Sequence, residues 1–232
     1  DPAPDLVARL ERLYANDPAL ASALSRARSL RSDMPEMVMA RDMSQAMAGN
    51  AAASGRMPAP VALARRAAGF LVQPTGPQAA VLDLGGWDSH ANQSNDPGPL
   101  SNNLRLLDAT LAALHEGLTA PGSGDTWART VVLVVTEFGR TVAINGTQGT
   151  DHGTGGAAFV LGGAVRGGQV LTDWPGLAPG QRHEGRDLRI TTDLRAVFKT
   201  VLAQHLRVPD SRLSRDVLPG TGALGWLPLL KG

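Results

Sequence analysis

Two apolar runs break an otherwise helix-patterned chain. Ala79-Ala80-Val81-Leu82-Asp83-Leu84 is short, mostly apolar and followed by Gly85-Gly86, and Thr130-Val131-Val132-Leu133-Val134-Val135 is an almost unbroken β-branched run. Neither run alternates, and continuous apolar strands are those covered on both faces, as in parallel sheets flanked by helices. Ala157 to Leu161 reads as a third strand. Between the first two runs, Leu104, Leu107, Leu111, Leu114 and Leu118 recur at helical spacing within Leu100 to Leu118. Strand, helix, strand in this order predicts a right-handed crossover, hence an α/β fold with a mainly parallel sheet flanked by helices. Three or four strands make a thin sheet, so the pattern also predicts an incomplete one, with part supplied elsewhere.

The remaining elements follow from the same periodicities. Residues 5–31 read as two short helices, the first carrying Leu6, Leu10, Leu13 and Tyr14 on one face, the second starting at Asp17-Pro18. Residues 58–72 read as a helix. Thr191-Thr192-Asp193 caps a last helix that runs to about Leu206. Residues 33–56 have weak periodicity, and their Met34, Met37, Met39, Met43 and Met47 read as core filler, since thioether ligands suit copper and need His or Cys company. Residues 162–187 hold many Gly and Pro and read as loops. The expected organisation is one α/β domain over 1–232, helical over 5–75 and sheet-containing over 76–232, where the metal-site region lies.

Composition narrows the function classes. With 22 Lys and Arg against 21 Asp and Glu, the net charge is +1 and there is no long basic run, which argues against nucleic acid as the main partner. No apolar stretch approaches the ~20 residues that span a bilayer. The absence of cysteine removes disulfides, thiolate ligands and a cysteine nucleophile.

The chemistry concentrates in three stretches: Gly85-Gly86-Trp87-Asp88-Ser89-His90, Thr136-Glu137-Phe138-Gly139-Arg140 and Gly149-Thr150-Asp151-His152-Gly153. The first two directly follow the apolar runs, which would place Asp88, His90 and Glu137 at the carboxyl ends of strands, where open α/β sheets bind ligands. Asp88 and His90 lie two apart, so both can point to one side of an extended segment. Carboxylate oxygen with imidazole nitrogen suits zinc, manganese or iron better than calcium; zinc or manganese is the leading expectation, with calcium or magnesium behind. Asp151 and His152 are adjacent and diverge in most backbones, so one would bind metal while the other supports it. Glu137 would need a cation, either a metal or Arg140; alternatively, Arg140 would hold a phosphate or sulfate through bidentate hydrogen bonds. Each stretch alone also reads as a capped polar turn or a local salt bridge. His115, His183 and His205 read as helix-end or loop residues rather than ligands. Ser89 and Thr150 are the nearest hydroxyls, but neither has an evident base.

These three motifs, in this order, resemble those of the bacterial domain-of-unknown-function family 1501, and Thr192-Asp193-Leu194-Arg195-Ala196-Val197 resembles that family's late helix. The resemblance spans roughly residues 5–225 and is to the C-terminal portion of a member. It implies an alkaline phosphatase/sulfatase-like α/β fold with a two-metal site. Asp88, His90 and His152 would form one metal's shell; Glu137-Phe138 falls where a second metal's Asp-His pair usually stands, and Phe138 cannot ligate. No counterpart of the superfamily's early strand and Ser or Thr nucleophile is present, so the resemblance implies that a missing N-terminal half of the same polypeptide is a partner. It further implies export to the periplasm or beyond. The resulting expectation is a metal-dependent hydrolase of small phosphate or sulfate esters, with Arg140 facing the substrate anion. The rival is a non-catalytic metal- or anion-binding exported protein with a degenerate hydrolase site.

Overall fold

A computed structural model describes residues 4–32 and 57–232, which divide into two compact units, Asp1–Ala59 and Pro60–Gly232. The methionines between Met34 and Met47 lie outside the described residues. In the first unit, α1 (Pro4–Tyr14) and α2 (Pro18–Ser32) form as the periodicity predicts. Asp17 caps α2: its carboxylate accepts the amides of Ala19 and Leu20 at 3.0 and 3.1 Å, satisfying donors the helix itself leaves free. Arg28 of α2 pairs with Glu11 of α1.

The second unit is built around two helices. α3 (Ala59–Leu71) and α4 (Pro99–Thr119) bury Val61, Ala64 and Ala68 against Ala113, Leu114 and Leu118. Pro99 starts α4 where its missing N–H costs nothing, and the Ser101 hydroxyl takes the Gly98 amide at 3.0 Å. α5 (Leu194–Gln204) is capped by Asp193, whose side chain accepts the Arg195 amide at 2.8 Å.

The expected mainly parallel sheet does not form. The described residues contain two antiparallel strand pairs, β1 (Val132–Val134) with β4 (Phe159–Leu161) and, between them in sequence, β2 (Gly139–Arg140) with β3 (His152–Gly153). The physical reason lies in the connections. Parallel pairing needs a long crossover, usually a helix, whereas the chain between β1 and β4 contains no helix and folds back on itself. Among the described residues the run over 79–84 joins no ladder: Val81 is 96% exposed, and Leu82 alone of the run packs on the α3–α4 core. The unbroken apolar character of 131–133 comes from two-sided cover. Val131 and Leu133 pack with Val160 on Val197, Val201 and Leu229, while Val132 turns the other way onto the α3–α4 cluster.

Candidate metal centre

The β2–β3 pair sets the site. Its register places Arg140 opposite His152 and Gly139 opposite Gly153, so two residues distant in sequence face one another at the end of the ladder. The loop 141–151 then turns back across the extended segment that follows Gly85-Gly86. Gly86 has φ +93°, a conformation that favours glycine, and its carbonyl accepts the Asn103 amide of α4. Beyond it, Asn92 and Gln93 donate backbone amides to Thr147 and Gln148 carbonyls at 3.0 and 2.8 Å. Gly149 allows this crossing: a Cβ there would lie 2.1 Å from the carbonyl carbon of His90.

Asp88, His90 and His152 converge. One ligand atom from each lies within 4.8 Å of the others, the one group of this kind among the described residues. Asp88 Oδ1 is 2.7 Å from His152 Nε2 and 2.9 Å from His90 Nε2. The same oxygen accepts Arg140 Nη2 at 2.8 Å. The hydrogen bond from His152, then the positive partners around it, hold the Asp88 carboxyl below the usual carboxylate range. Each of the three side chains keeps about half of its surface exposed. Phe138 stacks on His152 with ring centroids 4.1 Å apart and planes 14° from parallel. The residue that cannot ligate thereby holds one that can.

Asp151 joins through the far side of His90, its Oδ1 3.2 Å from His90 Nδ1. Its carboxyl is also held low, first by the hydrogen bond from Asn145 and then by His90. Arg140 is committed inward: besides Asp88, it donates to the carbonyls of Trp87 and Thr150, both at 2.8 Å. Glu137 stays outside. It is exposed, and among the described residues it has no hydrogen-bond or ion-pair partner, Arg140 included. The Thr150 hydroxyl is turned to Gln93 Oε1 at 2.7 Å. His115 packs edge-on against Trp127, away from this cluster.

Sequence reasoning passed over three residues that build the site. Asn145 carries no chemistry of its own in the sequence, and Phe138 read only as a missing ligand. Asp187, from the loop 162–187 and its continuation, buries its carboxylate where it accepts the Thr154 amide at 3.1 Å just past β3. Nothing local in the sequence marks that long-range bond.

The donor set fits a divalent cation: two imidazole nitrogens and one ionised carboxylate, with an open face for further ligands, as in catalytic zinc sites that use three protein ligands. A family model described as "Protein of unknown function (DUF1501)" matches residues 5–218, and the chain belongs to that family. No curated protein and no solved structure matches it.

Proposed function

We propose that this DUF1501 member binds one divalent cation, zinc or manganese first, through Asp88, His90 and His152, and uses it to hydrolyse a small phosphate or sulfate ester. The convergence of three ligand atoms within 4.8 Å carries the reading. Asp88 supplies the negative charge, and its depressed carboxyl stays ionised to do so. His90 and His152 supply neutral nitrogens once their Nε2 atoms exchange the Asp88 contact for the cation. Such a cation, when bound, supplies Lewis-acid polarisation of an ester oxygen. Arg140 keeps Asp88 turned toward the two imidazoles, and the exposed faces of the three side chains leave room for a ligand. The choice of ester, and a place in the periplasm or outside the cell, rest on the resemblance of the three motifs to the alkaline phosphatase and sulfatase superfamily. Glu137 stands apart, which favours one metal over two.

A second reading has its own support. The Arg140 guanidinium is taken up by Asp88 and two carbonyls, which leaves no free cationic fork for a substrate anion and favours metal binding without turnover. Calorimetric titration with zinc and manganese, followed by assays on aryl phosphates and aryl sulfates, separates the two. One equivalent of metal is expected, and Asp88→Asn is expected to weaken binding at least tenfold. Absence of binding, with an unchanged unfolding temperature on adding either ion, sinks the metal reading. Binding without turnover of either ester leaves the non-catalytic one.

A further inference from the structure

We propose that Asn145 is the positioning residue of this site, acting through Asp151 to hold the His90 imidazole with Nε2 presented to the cation. The inference rests on the metal-binding reading above. The side-chain amide of Asn145 is used at every polar atom. Its Nδ2 donates to Asp151 Oδ1 at 3.0 Å and to the His90 carbonyl at 3.1 Å. Its Oδ1 accepts the Thr147 amide at 3.0 Å and the Gly149 amide at 2.9 Å. Donors and acceptors are thereby sorted without ambiguity, since a flipped amide would set donors against donors.

The two donated bonds differ in consequence. The His90 carbonyl also accepts the Thr147 hydroxyl at 2.6 Å, so that hold is duplicated. Asp151 has a second route to its place in the Thr141 hydroxyl, which accepts its backbone amide at 3.1 Å, but that bond leaves the carboxylate free to rotate. Among the described residues, only Asn145 and His90 itself hold the Asp151 carboxylate toward the ring. An ionised carboxylate is acceptor-only, so at Nδ1 it takes a proton and leaves the Nε2 lone pair for metal; carboxylates placed this way behind ligating histidines raise metal affinity by 10- to 100-fold. The loop 141–151 thus leads into His152 in β3 and carries the support for His90 on the other segment.

The test is a double-mutant cycle on zinc affinity, read by calorimetry on the full chain. Asn145→Ala and Asp151→Asn are each expected to weaken zinc binding by about 10- to 100-fold, and the double variant by no more than about twofold beyond the weaker-binding single variant, because one chain of contacts is cut in two places. The metal-free unfolding temperature, measured alongside, reports any purely structural loss. Should Asn145→Ala not fold, Asn145→Asp replaces it in the cycle: it keeps the oxygen that closes the loop and loses both donated bonds. Wild-type zinc affinity in the Asn145 variant, or losses that multiply in the double variant, overturns the positioning role. Absence of zinc binding by the unaltered chain instead defeats the metal reading on which it rests.

Discussion

Asp88 Oδ1 bonds to His152 and Arg140 and lies 2.9 Å from His90 Nε2, so at the residue scale this one oxygen organises the site. The hydrogen bond with His152, with the nearby charges behind it, holds the carboxyl low, and the shared oxygen draws the two histidines together, their ring centroids 5.1 Å apart. Their remaining freedom is removed differently: His90 by Asp151 on Nδ1, His152 by the flat face of Phe138. Aromatic pairs of this kind contribute about 0.5–1.5 kcal/mol, so Phe138→Leu, which keeps apolar bulk but loses the face, should weaken zinc binding roughly 2- to 10-fold by calorimetry. Unchanged affinity would show that the stack does not orient His152. The candidate ligands were legible in the sequence because carboxylate and imidazole two residues apart carry their chemistry with them. Phe138 and Asn145 were not, because their roles consist entirely of what they touch across the fold.

At the scale of elements, helices were legible and strand direction was not. α4 and α5 follow from spacing and caps that operate within a few residues. The apolar run at 130–135 is only half-buried and Val135 is exposed, and its two-sided cover over 131–133 by helices and a C-terminal segment produces the same pattern in an antiparallel pair as in a parallel sheet. The run at 79–84 has strand composition and no partner among the described residues, and pairing is a property of two segments rather than one. The β2–β3 pair is only two residues long on each side, too short to stand alone. Asp187 helps to hold it, accepting the Thr154 amide and pairing with Arg186 Nε at 2.7 Å. The Arg186 hydrogen bond is the first cause of a carboxyl pKa lowered from 3.8. A carboxyl depressed by folding contributes stability above its unfolded pKa and loses it as pH falls through the folded one. Asp187→Asn should therefore lower the unfolding temperature at pH 7, and the gap to the unaltered chain should narrow as pH falls below about 3.9. An equal gap at pH 7 and pH 3 would assign the loss to shape rather than charge.

At the scale of the whole molecule, all the candidate ligands belong to the unit Pro60–Gly232, while α1 and α2 belong to the other. Asp88 and His90 come from one extended segment and His152 from β3, more than 60 residues on. A cation held among them closes a long loop of the native chain and has no equivalent site in the unfolded one, so binding is coupled to stability. At a free metal concentration 100 times the dissociation constant the coupling is about 2.7 kcal/mol. For a domain of this size each kcal/mol moves the unfolding temperature by about 2–4 °C, which places the expected rise at roughly 5–11 °C. The rise should belong to the transition of the 60–232 unit alone, reverse on adding a chelator, and shrink as pH falls, because protons compete with the cation for His90 and His152. Scanning calorimetry of the unaltered chain and of Asp88→Asn, with and without zinc, measures all of this. If Asp88→Asn shows the same rise, the ion acts somewhere other than this site, and the three motifs that converge there serve only to close the loop 141–151 onto the segment that follows Gly86.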